Sequence, residues 1–224
     1  MAVTGRPGPV WLDIPLDVQG AVIETENLRA YDPAENPEQK PQEISQEIIE
    51  KILDKIEESH RPVLSPGNGV RLAGAIGEFH ELVELLGVPV VTGMSSVDAL
   101  ESDHPYFAGR SGGTGTRAGN FALQNSDVLL SIGNRQGFTQ TGFQYQDWAR
   151  ESYTILNDID ENELKKPSLH VSLPVVGDAG ELIRGLLTEA KKRGADKGHP
   201  LFKGEDWRNP VSYTHLTLPT ILRV

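Results

Sequence analysis

Apolar positions along this chain change period several times. Ile44, Ile48, Ile52 and Ile56 recur every four residues, with Ile49 and Leu53 beside them and Glu, Gln and Lys on the other faces. That spacing predicts an amphipathic helix ending near Ser59 and His60. From Arg61 onward short apolar runs alternate with helical patterns. Pro62-Val63-Leu64 reads as a strand, Pro66-Gly67-Asn68-Gly69 as a turn, and Leu72, Ile76, Phe79, Leu82, Val83 and Leu86 as one face of a helix reaching about Leu86. Val88-Pro89-Val90-Val91-Thr92 is a second strand, residues 93–115 a long loop, and residues 117–124 a short helix. Asp127-Val128-Leu129-Leu130-Ser131-Ile132 is a strand whose continuous apolar run suits burial on both faces. Tyr153-Thr154-Ile155-Leu156 and residues 171–176 supply two more strands, and residues 179–192 a last helix. Strands separated by helices predict right-handed crossovers, and so a doubly wound α/β domain over residues 44–193: a mostly parallel sheet with helices on both faces.

The flanks have a different texture. Residues 1–20 hold one strand, Val10-Trp11-Leu12-Asp13-Ile14, between prolines. Residues 21–43 read as a linker, kept extended by Pro33, Pro37 and Pro41 and by several carboxylates. Residues 194–210 read as the start of another linker. Residues 211–224 contain no acid and carry three threonines at a three-residue spacing. They resemble a translated read-through of adapter sequence, with a genuine apolar strand as the alternative. Composition narrows the classes. The 224 residues carry 32 acidic and 21 basic side chains, a net charge of −11, and no cysteine, which excludes thiolate metal sites and disulfide scaffolds. Without a basic stripe, nucleic-acid binding is not expected. No apolar run approaches the roughly 18 residues that span a bilayer, and Met1-Ala2-Val3-Thr4-Gly5 has neither a basic region nor an apolar one, so the chain reads as cytoplasmic with no membrane partner.

Candidate chemistry gathers at the ends of the predicted strands. Gly67-Asn68-Gly69, Gly93 and Gly133-Asn134-Arg135 each follow one, and ligands of open α/β sheets bind at that edge. The glycines have no G-x-G-x-x-G spacing, so turn chemistry and ligand contact both stay open. Residues 109–120 are the most unusual stretch: Gly109, Gly112, Gly113, Gly115 and Gly119 with Arg110 and Arg117 precede a helix. Flexible amides and guanidinium groups of this kind can cradle a phosphate. The alternative is that Arg117 pairs with a surface carboxylate while the glycines only turn the chain. Asp158 and Asp160 follow the fourth predicted strand, placed either to accept a ribose hydroxyl or, for Asp160 with Glu163, to cap a helix. The histidines show no metal-ligand spacing, no G-x-S-x-G elbow occurs, and no catalytic set or metal site is assigned.

Several of these stretches resemble, in serial order, one family. Gly5-Arg6-Pro7-Gly8-Pro9-Val10-Trp11-Leu12-Asp13-Ile14-Pro15-Leu16-Asp17-Val18-Gln19 is similar to the close of the pyrimidine-binding domain of thiamine-diphosphate-dependent enzymes of the acetolactate synthase group. Arg61-Pro62-Val63-Leu64 with Gly67-Asn68-Gly69, then Val88-Pro89-Val90-Val91-Thr92-Gly93, residues 125–135, and Asp158-Ile159-Asp160-Glu161-Asn162-Glu163-Leu164 resemble the central domain of the same enzymes, a nucleotide-binding fold like that of deoxyhypusine synthase. The resemblance implies three α/β domains, with residues 1–20 closing a truncated pyrimidine domain. The catalytic glutamate is expected before Met1 and the Gly-Asp-Gly magnesium motif after the central domain. It implies a parent carboligase or decarboxylase of 2-oxo acids that uses thiamine diphosphate and magnesium as a homodimer or homotetramer, the fragment itself being inactive. Some members bind flavin adenine dinucleotide centrally, and by position Gly67, Asn68, Gly69, Arg117, Arg135, Asp158 and Asp160 would contact it. Acetolactate synthases carry a Met-His pair where this chain has Ser111-Gly112-Gly113, and an aromatic-acidic run where it has Gln136-Gly137-Phe138. The alternative to a fragment is a free-standing dinucleotide-binding module without catalysis.

Overall fold

A computed structural model describes residues 8–32, 43–204, 206 and 207. The chain divides into two compact units, Met1–Pro41 and Gln42–Val224. In the first, α1 (Leu16–Gln19) is a single turn entered at Pro15 and closed by Gly20, and Thr25–Asn27 form a 3-10 turn. The strand expected at Val10-Trp11-Leu12-Asp13-Ile14 does not form. A strand needs a neighbour to pair its backbone groups, and no other described residue of this unit is in a strand. Instead Gln19 Nε2 donates to Ile14 O at 2.7 Å, tying the segment to α1.

The second unit is built on six parallel strands: β1 (Pro62–Pro66), β2 (Val90–Thr92), β3 (Phe107–Arg110), β4 (Val128–Ile132), β5 (Tyr153–Asp158) and β6 (Leu173–Val176). Their order is β3-β2-β1-β4-β5-β6. In the central pair, β1 and β4, Pro62 lies opposite Val128 and Pro66 opposite Ile132. Every residue of both strands is buried, which is what their unbroken apolar runs require. The chain winds outward from β1 to β3, returns to β4, and winds outward the other way. Because crossovers are right-handed, that reversal moves α5 (Arg117–Gln124) to the opposite face from α4 (Ile76–Leu86). The doubly wound α/β architecture read from the pattern is the one observed.

Over the sheet, α8 (Ala179–Lys192) packs against both α4 and α2 (Gln46–Glu58). Ser45 caps α2 by accepting from Ile48 N, and Asp178 caps α8 by accepting from the amides of Gly180 and Glu181. The face of α2 carrying Ile49, Ile52, Leu53 and Ile56 is buried. Arg193, just past α8, reaches across to Asp54 at 2.7 Å and Glu57 at 2.5 Å on α2 and to its own neighbour Glu189 at 3.3 Å. Among the described residues no helix is long and apolar enough to cross a membrane.

Three features differ from the sequence pattern. The helix expected from the Gly67 turn through Leu86 is two helices, α3 (Asn68–Leu72) and α4, because Gly74 sits at φ 66°, a left-handed conformation that glycine adopts without steric cost. The break turns Leu72 outward, where it is 57% exposed, so it leaves the expected core face. The loop expected at residues 93–115 contains β3, a four-residue edge strand with too few side chains for a readable period. Finally, residues 194–207 are more than the start of a linker. Leu201 and Phe202 donate their amides to Leu85 O and Leu86 O at 2.8 and 3.0 Å. Trp207, 8% exposed, donates Nε1 to Pro62 O at 3.0 Å. This strap closes the lower end of β1, and the domain runs at least to Trp207. The region 211–224 lies outside the described residues.

Candidate functional site

The strand order puts the reversal of winding between β1 and β4, and the edge beyond their C-terminal ends is where open α/β sheets hold ligands. Two turns meet there. Gly67 N donates to Ile132 O and Gly69 N to Gly133 O, both at 2.9 Å, and Val70 N returns to Gly67 O at 3.2 Å. The backbones are so close that a Cβ on Gly67 would lie 2.2 Å from Gly133 O, and one on Gly69 2.7 Å from Gly133 Cα. The glycines are required, and what requires them is the facing strand turn of the same chain.

Beneath the turns lies a buried polar network. Asn134 Nδ2 donates to Ser65 Oγ at 3.3 Å, Gln136 Nε2 to Ser131 Oγ at 3.0 Å, and Gln136 N to Asn134 Oδ1 at 3.2 Å. Gln136 reaches this arrangement with φ 47°, unusual outside glycine. On the far side Asn157, fully buried, donates to Val175 O and Gly177 O at 3.1 and 3.0 Å and so joins β5 to β6. Sequence reasoning missed this network. The available signal was Ser65 and Ser131, single hydroxyls inside otherwise apolar strands.

The remaining candidates are dispersed around the edge. Arg135 is exposed, 3.9 Å from Glu163, while the Lys166 ammonium donates to Arg135 O and pairs with Glu163 at 3.1 Å. Asp158 Oδ1 accepts from Asp160 N at 2.9 Å. Asp160 caps α7 (Glu161–Leu164), accepting from Asn162 N at 3.0 Å. Asn68 is half-buried in the first turn of α3. Arg117 is exposed at the start of α5 and makes no ion pair among the described residues. On α3, Arg71 bonds Asp98 at 2.9 Å and, with the backbone of Asp98 itself, holds that carboxyl below its ordinary range. No three His, Asp or Glu side chains among the described residues converge to hold a metal ion.

A third region covers β2 and β3. The short helix α6 (Phe138–Thr141) lies on their ends. A Cβ on Gly93 would fall 1.8 Å from Gln140 Nε2, one on Gly112 2.3 Å from Thr139 O, and Gly113 N donates to Thr139 O at 3.2 Å.

Residues 49–186 are matched by the sequence model described as "Thiamine pyrophosphate enzyme, central domain". The chain belongs to this family. It is similar to the probable acetolactate synthase large subunit of Methanocaldococcus jannaschii, 38% identical over 195 residues, covering 84% of this chain and 32% of that protein. The acetolactate synthase large subunit of Corynebacterium glutamicum is 36% identical over 201 residues, 88% of this chain and 31% of that one. For the isozyme 2 large subunit of Escherichia coli the figures are 33% over 187 residues, 83% and 32%. The chain therefore spans about a third of the length of these relatives.

Within a thiamine pyrophosphate enzyme central domain, the turns at Gly67 and Gly133 bear on the flavin that the resemblance raises. A dinucleotide pyrophosphate needs free amides and open space at the first glycine turn. Here the amides of Gly67, Gly69 and Val70 are engaged by the chain, and a Cβ on Gly67 would meet Gly133 and Asn134. These three amides do not fit the group.

Proposed function

We propose that this chain is the non-catalytic middle of a thiamine-diphosphate-dependent carboligase or decarboxylase of 2-oxo acids, acetolactate-synthase-like, in which the central domain is a scaffold. The observation that carries the reading is the contact of Gly67 and Gly69 with Gly133: the site where related folds bind a dinucleotide is here a packed joint between β1 and β4. In the whole enzyme, thiamine diphosphate held with magnesium supplies the electron sink for loss of carbon dioxide. The residues described here hold the sheet edge rigid and move no proton. The whole enzyme works in the cytoplasm as a homodimer or homotetramer, with a 2-oxo acid as substrate and without nucleic-acid or membrane partners.

The test is extension of the reading frame in both directions, then assay of the encoded protein with thiamine diphosphate, magnesium and pyruvate. A glutamate-bearing domain upstream, a Gly-Asp-Gly motif downstream and cofactor-dependent release of carbon dioxide are expected. Extended sequence that lacks both motifs would overturn the reading.

A further inference from the structure

Asn68-Gly69 is the one Asn-Gly pair in the sequence. In an open chain such a pair deamidates readily, because a glycine without a side chain lets its amide nitrogen swing onto the asparagine Cγ. Here the two are held apart. Asn68 opens α3, and a helical residue leans its side chain back toward the N-terminus, away from the amide that follows it. Gly69 N, the attacking atom, donates to Gly133 O at 2.9 Å. Gly69 O accepts from Ala73 N at 2.9 Å, and Val70 N donates to Gly67 O at 3.2 Å, so the peptide group after Gly69 is tied as well. The joint leaves no slack, since a Cβ on Gly133 would lie 2.8 Å from Gly69 Cα and 3.0 Å from Val70 N. Asn68 itself is half-buried, so burial alone does not shield its side-chain amide.

We infer that Asn68 is a deamidation site gated by the joint between β1 and β4, closed to the reaction while Gly69 N bonds Gly133 O and open to it when the two turns part. The Gly69 nitrogen attacks Asn68 Cγ and gives up its proton, the bond from Cγ to the side-chain nitrogen breaks, and that nitrogen leaves as ammonia. A water then opens the cyclic succinimide at either carbonyl, giving aspartate or isoaspartate at this position; nothing is oxidised or reduced. Isoaspartate routes the chain through the side-chain carbon and lengthens the backbone just before Gly69. The lengthened turn no longer brings Gly69 N onto Gly133 O, so the reaction converts a passing opening of the joint into a lasting one. The inference rests on the packing at Gly133 and not on the reaction of the whole enzyme, which the extended reading frame tests separately.

The test incubates the purified full chain at mildly alkaline pH beside a synthetic peptide of residues 64–72 and follows deamidation at Asn68 by peptide mapping and mass spectrometry. The folded chain is expected to react at least about tenfold more slowly than the peptide, the factor that an opening free energy of about 1.4 kcal/mol imposes. G133A crowds Gly69 and leaves the Asn-Gly chemistry intact, so it should bring the rate of the folded chain up toward that of the peptide, while G77A should not raise it. If G133A fails to fold by circular dichroism, the ratio of wild-type chain to peptide decides. A folded chain slowed by less than that factor, a peptide that does not deamidate, or a folded G133A as slow as the wild type would overturn the gate.

Discussion

Gly67 and Gly77 make opposite predictions from the same substitution. A methyl at Gly67 enters the backbone of Gly133 and Asn134, whereas one at Gly77 meets nothing within 4 Å. G67A should lower the stability read from urea unfolding by about 1–3 kcal/mol, the usual range for overpacking. G77A, in the first turn of α4, should raise it by about 0.5 kcal/mol through helix propensity and a less flexible unfolded chain. Equal effects would mean that the two turns do not pack as described. Glu189 supplies a pH prediction. The Lys192 ammonium, with Arg193 and Gln46 beside it, holds this carboxyl below the ordinary range despite its burial. A depressed folded pKa contributes stability that is present above the unfolded value, about 4.3, and is lost as pH falls through the folded one. The stability gap between wild type and E189Q should therefore be open at pH 7 and close in acid; a gap constant from neutral to acid pH would contradict the pairing. At this scale the positions of Gly67, Gly69 and Asp160 were legible as strand-end residues. Their role was not, because a glycine demanded by a ligand and one demanded by a neighbouring backbone look alike until the neighbour is known.

Among the elements, the strap of residues 194–207 was the least legible from sequence and carries a direct prediction. It has no period, and its apolar residues Leu201, Phe202 and Trp207 are too few to signal an element, yet all three are buried. W207F keeps an aromatic ring but loses the indole N–H with its bond to Pro62 O and some buried volume, at a cost of about 1 kcal/mol or more. Ending the chain at Gly194 removes four buried side chains, Ala195 with these three, and should lower the melting temperature far more than W207F does. A truncated chain as stable as the whole would mean that the strap is not part of the domain. By contrast β1, β4, α2 and α8 were readable because burial on both faces or on one stripe dictates a long, regular pattern. β3 and the break at Gly74 were hidden for a complementary reason: each depends on a few residues whose conformation is set by tertiary contact.

For the whole molecule, the doubly wound sheet agrees with what the strand and helix alternation demands, and the chain corresponds to about a third of each acetolactate synthase relative. The fold alone would accommodate a nucleotide, as sheets of this order do. A local feature stands against it: the amides of Gly67 and Gly69 already bond Ile132 O and Gly133 O. Flavin titration of the purified chain tests this most directly, since flavin fluorescence anisotropy rises when the ring system is immobilised. The account predicts anisotropy unchanged by the chain at micromolar concentrations of each, and a purified protein without flavin absorbance. A saturable rise in anisotropy, abolished by G67A, would contradict it.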